Sequence, residues 1–332
     1  MRKEYDEMNK KELLSIFLML LKKKLRLEQE KKFSEYGQIT CCNDEKIVGF
    51  SIKKKKLEEI PKEVWELTSL KRLVIGRNNI KRIDERLSRF KNLEVLEIAT
   101  NPIESLPESI GELRKLKRLI LVNTKIGSLP CSIKKLESLT YFRLVSINKE
   151  FSPEVFDILK DISSLKNLEV LELEVRQGFD IPLVFNNLHH LKKLKITFSK
   201  ITGFEKIDGL INLEELDISF CHGVEYLSEN FGKLKKLRVL NIGSSNLREL
   251  PKSIGECSSL KELHLWNNNL QRLPDSMENL SSLQLVEIDD NPWVYLPKKI
   301  LKIDRDRYES FKKYCGFIKD SPYRYAFLES DD

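Results

Sequence analysis

The sequence lacks most of the patterns that mark chemistry. Its six cysteines (Cys41, Cys42, Cys131, Cys221, Cys257, Cys315) include no Cys-x-x-Cys pair and no Cys/His spacing of a metal site, which argues against a disulfide framework and a zinc module alike. Free thiols in a reducing cytosol are the expectation. No Gly-x-x-x-x-Gly-Lys stretch occurs, so no loop of backbone amides is available to cradle a nucleotide phosphate. Long apolar runs are missing too: Leu13 to Leu21 spans nine residues, where a bilayer crossing needs about 20. Acidic Glu4, Asp6, Glu7 and Glu12 precede that run, and Lys22 to Lys24 follow it where a signal peptide has its cleavage site, so the mature chain is expected to begin near Met1.

Charge of one sign is not concentrated anywhere. The net charge is +7 with 33% charged residues, and the two signs are interspersed, which describes a solvated surface better than a polyanion-binding arm.

What the sequence does have is a repeat. Leu70-x-x-Leu73-x-Ile75-x-x-Asn78-x-Ile80-x-x-Ile83 returns from Leu93, Leu116, Leu139, Leu168, Leu191, Leu213, Leu237, Leu260 and Leu283, most often at the step that separates Leu70 from Leu93. Periodicity of this kind overrides the two or three globular domains that 332 residues would otherwise suggest. In each unit the apolar stretch alternates like a half-buried strand, with Leu96 and Ile98 to one side and Val95, Glu97 and Ala99 to the other. The part that follows, such as Leu106-Pro107 to Leu113, carries proline at a helix start and predicts a short helix or 3₁₀ turn. Strand, turn and helical return make a right-handed coil whose strands stack in parallel. One such unit cannot bury enough apolar surface to offset its own ordering, whereas an interior unit covers two neighbours.

The pattern LxxLxIxxNxIxxLP resembles the leucine-rich repeat family, in particular its intracellular, Ras-group-like 23-residue class, over Ile47 to Pro297. The resemblance implies an α/β solenoid, a horseshoe with a concave parallel sheet and short helices or 3₁₀ turns outside, used as a protein-interaction scaffold. It also implies a ladder role for the asparagine, whose side chain would bond backbone groups of the adjacent turn; Asn78, Asn101, Asn268 and Asn291 match. Thr124, Ser199, Cys221 and Ser245 occupy the same register and can also form hydrogen bonds. Ile147 and Arg176 fit it poorly. They fall where the spacing lengthens, between Leu139 and Leu168, and Ser152-Pro153-Glu154 there opens an expected α-helix over Val155 to Leu159. Smaller irregularities occur from Leu191 to Leu213, one position short, and from Leu213 to Leu237, one position long.

The expected organisation is a helical and hairpin cap over residues 1–46, with its turn at Asn43-Asp44, then eleven repeats over 47–297 and a helical cap and tail over 298–332. Inward strand positions divide into three stretches. Lys53, Lys54, Arg72 and Arg77 are basic; Val74, Ala99, Ile120, Val122, Tyr141 and Val145 are apolar or aromatic, with Arg143 among them; Glu215, Asp217, Glu262, Glu287, Asp289 and Asp290 are acidic, interleaved with Phe198, Phe220, His264 and Trp266. Eleven strands spread over about 50 Å, against a screening length of about 8 Å, so the two ends act as separate electrostatic sites.

The candidate protein-binding residues are Tyr141, Arg143, Phe198, Asp217, Phe220, His264, Trp266, Glu287 and Asp289, because exposed aromatic side chains are the usual anchors of an interface. The plainer reading of Phe198 and Phe220 is that they fold over neighbouring units as packing. Cys221-His222 and Cys257 suggest a thiol nucleophile only weakly, since Cys221 sits in the buried ladder register and the other histidines lie on other turns. No catalytic, metal or cofactor site is expected. The chain is therefore expected to be a cytoplasmic, non-enzymatic scaffold for another protein; the class resemblance adds a small GTPase or phosphatase as an alternative partner. A basic rim (Lys71, Lys117, Arg118, Lys192, Lys193, Lys235, Lys236, Arg238, Lys261) suggests nucleic acid or anionic lipid as a different class of ligand, but aromatic interleaving is absent from it and solvation is the simpler account. Membrane contact through the helix expected over residues 1–35 is the weaker reading of that segment, beside packing over the first repeat.

Overall fold

The computed structural model describes residues 38–41, 46–146, 155–176 and 178–303. They belong to two compact units that divide after Leu139. The helix expected over residues 1–35, the Asn43-Asp44 turn, Ile147, Ser152-Pro153-Glu154 and the tail after residue 303 lie outside the described residues.

In the first unit, β1 (Gln38–Cys41) pairs antiparallel with β2 (Ile47–Lys53), Gln38 lying opposite Ser51. Three further strands, β3 (Arg72–Gly76), β4 (Val95–Ala99) and β5 (Arg118–Val122), follow β2 in parallel. Their register repeats coil by coil, Phe50 beside Leu73, Leu73 beside Leu96, and Leu96 beside Leu119. The period-2 alternation of leucine and isoleucine causes this: Leu73, Ile75, Leu96, Ile98, Leu119 and Leu121 are all fully buried on one face of the sheet. Returns are 3₁₀ turns, as proline at their entry predicts: Pro61, Pro107 and Pro130 occupy the cap positions of Lys62–Glu66, Glu108–Glu112 and Cys131–Lys135. Where proline is missing, Asp84 caps Glu85–Arg89 by accepting the Arg86 amide, and the Arg86 side chain holds that carboxyl below its usual pKa.

The second unit has β6 (Tyr141–Ser146), β7 (Val170–Val175), β9 (Lys193–Ile196), β11 (Glu215–Asp217), β12 (Val239–Asn241), β13 (Glu262–His264) and β14 (Leu285–Glu287), side by side and parallel. A small parallel pair, β8 (Phe179–Asp180) with β10 (Ile201–Thr202), forms a second sheet. The long coil between Leu139 and Leu168 carries the expected α-helix, α1 (Val155–Ile162), which runs three residues further than its sequence pattern marked and buries Ile158, Leu159 and Ile162. Each of the two coils that depart by one residue has a left-handed glycine: Gly203 (φ 68°) caps the return of the short coil after Leu191, and Gly223 (φ 97°) lies in the long coil after Leu213, where a Cβ would come within 2.4 Å of the Ile201 carbonyl oxygen. A second helix, α2 (Lys298–Ile303), follows the last strand and buries Ile300.

The ladder register is satisfied as the resemblance implied. The Asn268 carboxamide oxygen accepts the amides of Ser245 and Leu247 at 3.0 and 2.9 Å, and its nitrogen donates to the Ile242 carbonyl at 2.7 Å, all on the preceding coil. Asn78 does the same for Lys55, Leu57 and Ile52. Smaller side chains take over in between: Ser199 accepts the Val175 amide, the Cys221 thiol donates to the Ile196 carbonyl at 3.1 Å, and Ser245 donates to the Ile218 carbonyl at 2.7 Å. These tight turns would otherwise bury unpaired amides and carbonyls, each costing about 1–3 kcal/mol.

On the return side, glutamates tie several coils to the next. Glu108 accepts the amides of Cys131 and Ser132 at 3.0 and 2.9 Å, Glu85 accepts that of Ser109, and in the second unit Glu229 accepts those of Lys252 and Ser253. Each carboxylate sits at the open amides that begin the next 3₁₀ turn, the favourable end for negative charge.

Candidate recognition face of the second unit

One face of the second unit's sheet is leucine core; the other is open. Across the open face runs a row of opposed residues: Arg143, Glu172, Lys195, Asp217, Asn241, His264 and Glu287. Its first four members alternate in sign. Glu172 lies 3.6 Å from the Arg143 Nε and accepts the Tyr141 hydroxyl at 2.8 Å; Lys195 lies 2.8 Å from Asp217, whose other oxygen accepts the Ser219 amide and hydroxyl. In a parallel row Lys193 is 2.6 Å from Glu215, which holds the ammonium pKa above its ordinary value. Exposed pairs of this kind contribute little stability, about 0–1 kcal/mol each. Their effect is to offset the charge of each acid locally.

At β13 the partner of the acids is an imidazole. His264 Nδ1 is 2.7 Å from Glu287 and its Nε2 is 3.7 Å from Glu262, so two carboxylates face one imidazole, and Asp289 and Asp290 follow. Of the acidic residues expected on this face, Glu215 and Asp217 are offset by Lys193 and Lys195.

Beyond the strand ends left-handed residues recur at one register position. In the first unit these are Lys54, Arg77, Thr100 and Asn123; in the second, Phe198 (φ 52°), Phe220 (φ 57°), Ser244, Asn267 and Asp290. The conformation lets the amide donate to the next coil, as Phe220 does to the Gly243 carbonyl, Ser244 to that of Trp266 and Asn267 to that of Asp289, each at 2.8 Å. Asparagine and aspartate adopt it readily, whereas a bulky side chain costs about 1–2 kcal/mol there. Phenylalanine at 198 and 220 is therefore unfavourable for the backbone, and it is not recovered as core, since the two side chains are 51% and 39% exposed.

The rings nevertheless form one surface. Phe198 and Phe220 stack at 4.7 Å between centroids with planes 7° apart, and Phe220 meets Trp266 edge to face at 5.3 Å and 67°. Trp266 belongs to β13's coil and Phe220 to β11's, with β12's coil between them. They touch because Gly243, one coil before Trp266 in the same register, has no side chain: a Cβ there would stand 2.2 Å from the indole. The strip thus spans four coils. The two phenylalanines lie over neighbouring coils and leave their outer faces in solvent.

Other expected positions differ. Val74 and Val145, placed on the open face by alternation, are 3% and 5% exposed and hence buried. Asp217, a candidate binding residue, is paired with Lys195. Alternation along a strand specifies a side but not the coverage by neighbouring coils. Gly243 and the left-handed setting of 198 and 220 were not singled out from the sequence, although a glycine one repeat before Trp266, and Asn123 and Asn267 in the register of the phenylalanines, signalled both.

Cys221 and Cys257 are buried thiols whose pKa is pushed up to about 12 by desolvation. They stay protonated at neutral pH and serve as packing and hydrogen-bond donors. Among the described residues no group of three or more His, Cys, Asp or Glu side chains is placed to hold a metal ion, and no helix is long and apolar enough to cross a membrane. The basic rim is laced with acid: Lys117 pairs with Glu94, Lys192 with Glu169, and Lys235 with Glu256. A groove of about 1030 Å³ elsewhere on this unit is spanned by its own contacts, Arg272 over the Tyr295 ring and the Tyr295 hydroxyl on Asp275.

A stack of strand-and-3₁₀ coils, knitted by an asparagine ladder and bearing one open face, defines the class of α/β repeat solenoids. Residues 50–224 match the family model described as leucine-rich repeat region and residues 235–292 that described as leucine rich repeat, so the chain belongs to the leucine-rich repeat proteins. Solved structures agree on the fold. A leucine-rich repeat protein of Leptospira interrogans is 24% identical, covering 83% of this chain and 91% of that one with a TM-score of 0.51. A TDR receptor is 22% identical over 77% of this chain and 45% of its own, with a TM-score of 0.57. TLR13 in its complex with ssRNA13 is 23% identical over 74% and 43%, with a TM-score of 0.55.

Proposed function

We propose that this chain is a cytoplasmic, non-enzymatic scaffold that holds another protein against the open sheet face of its second unit, centred on Phe198, Phe220 and Trp266. The carrying observation is the pair of phenylalanines kept in left-handed backbone and half in solvent. Stability alone favours asparagine there, so another requirement retains them. Aromatic rings already fixed against one another offer contact area at low ordering cost. Paired acids and bases on the surrounding strands suit a polar rim. The buried, protonated thiols leave no nucleophile for the enzymatic alternative at those positions.

The test compares wild type with a Phe198→Asn/Phe220→Asn variant, using each as bait at matched concentration and recording the melting temperature of both. Loss of the bound protein with an unchanged melting temperature supports the reading. Equal capture by the two baits contradicts it.

A further inference from the structure

We infer that the first unit carries a binding site of its own, where β2 ends on the open face of its sheet, and that the ligand is an acidic polypeptide segment: a short run of aspartate or glutamate with an apolar side chain about three or four residues away. The site is separate from the aromatic strip of the second unit.

The lysines that end and follow β2 form it. Lys53, Lys54, Lys55 and Lys56 are all exposed, and exposed Arg77 joins them from the coil of β3, in the register of Lys54. Elsewhere base meets acid: Arg72 has Glu97 at 3.1 Å on this same sheet, Lys117 has Glu94 on the rim, and Lys193 and Lys195 have Glu215 and Asp217 in the second unit. Among the described residues no carboxylate forms an ion pair with any of the five cations at the end of β2. Glu58 and Glu59 follow them in the chain, and Glu59 is turned toward Arg86 on the return side.

The backbone gives a second, independent observation. Lys54, Lys56 and Arg77 are left-handed, at φ 57°, 56° and 52°, whereas the register of Lys54 and Arg77 is held by asparagine at 123. A long side chain is unfavourable in that conformation, and like charges on neighbouring coils repel. Neither cost is offset by burial or by an internal ion pair. An external anion offsets both.

The neighbouring surface says what kind of anion. Lys53 stands opposite Gly76, and its aliphatic stem lies across that glycine, with Cγ 3.2 Å from the place a Cβ would take. The same row continues through Ala99 and Val122, both half-buried, with half-buried Ile120 on the strand of Val122. The cations therefore open onto a row of small apolar residues, one per coil. Carboxylates of an extended chain meet the lysines and Arg77 while an apolar side chain of the same chain rests on Val122. From the coils of β2 and β3 to β5 are two or three strand intervals of about 4.8 Å, or about 10–14 Å, and an extended chain advances about 3.3 Å per residue, which gives the spacing of three or four residues. Single-stranded nucleic acid fits less well, because no residue of this row is aromatic and a base has nothing to stack on. The headgroups of an anionic membrane would leave the apolar end of the row unused.

The experiment pans a random dodecapeptide phage library against the full chain and measures the enriched peptides by fluorescence anisotropy. Expected are peptides with two or more aspartates or glutamates and an apolar residue three to five positions away, whose affinity falls at least about tenfold for Lys54→Asn/Arg77→Asn and is unchanged for Phe220→Asn. Binding should also weaken as salt is raised. Asparagine tolerates the left-handed backbone at both positions, so the double variant should keep its melting temperature. Acidic peptides that bind the double variant as well as the wild type overturn the inference. A library that yields no acidic peptides, or only peptides lost on Phe220→Asn, overturns it too. Should a polyuridylate dodecamer or equimolar phosphatidylcholine–phosphatidylserine vesicles bind in a way that Lys54→Asn/Arg77→Asn abolishes while acidic peptides do not, the site belongs to nucleic acid or membrane and the inference falls.

Discussion

The Trp266 indole packs against Gly243, one coil earlier in the same register, so close that a Cβ on residue 243 would stand 2.2 Å from the ring. The glycine is a seat, and the tryptophan reaches Phe220 because it is seated there.

Gly243→Ala should therefore displace the indole. Overpacking of this kind costs about 1–3 kcal/mol. The chain has three tryptophans, of which Trp65 and Trp293 are buried, so a red shift of the emission spectrum reports Trp266. An unshifted spectrum together with an unchanged melting temperature would show that the ring is not held on the glycine.

Phe198→Asn should be nearly neutral for folding. Asparagine relieves about 1 kcal/mol of left-handed strain, and the change removes one stacked contact of about 0.5–1.5 kcal/mol from an exposed ring. The two nearly cancel. A loss as large as the about 3–5 kcal/mol that truncating a core phenylalanine costs, read by urea titration, would mean that the ring is core after all.

Asn268→Ala should be far more damaging than Asn291→Ala. The Asn268 side chain satisfies the buried amides of Ser245 and Leu247 and the Ile242 carbonyl, whereas Asn291 serves the Leu270 amide and the Leu265 carbonyl in a partly exposed setting. Leaving buried groups unpaired costs about 1–3 kcal/mol each, so denaturant midpoints should rank wild type, Asn291→Ala, then Asn268→Ala.

Thiol labelling separates the cysteines. At pH 8 iodoacetamide should modify exposed Cys131 in the native chain and leave Cys221 and Cys257 untouched, because their pKa values stand at about 12 and the thiols remain protonated. Peptide mass spectrometry of native against unfolded protein reads the difference.

Acid should weaken the fold in a defined window. Hydrogen bonds from Lys117, Lys91 and Lys206 lower the pKa values of Glu94, Glu112 and Asp180. A folded-state pKa below the unfolded one gives stability that is present above the unfolded value and lost as pH falls through the folded value. The melting temperature should hold down to about pH 5 and decline below about pH 4, less steeply in high salt.

Much of this was legible in the sequence because it depends on one side chain and its period. Leucines recurring once per coil give strand register, proline marks the 3₁₀ returns, and the extra residues before Leu168 accommodate α1. The aromatic positions were legible too, though not their contact with one another: that depends on Gly243 across an intervening coil. Pairing of Lys195 with Asp217 was hidden for the same reason, since the two stand on neighbouring strands and either could have faced solvent alone. Burial of Val74 and Val145 depends on coverage, which alternation does not encode.

The ladder asparagines reach toward the chain's beginning: Asn78 closes the turn at Lys55 and Asn268 the one at Ser245. A loop emerging from the ribosome therefore stays open until the residue that closes it, 23 positions later, has been made. Synthesis and closure advance in step, one turn out of phase, and a nascent chain halted midway carries its single unfinished loop at the growing end.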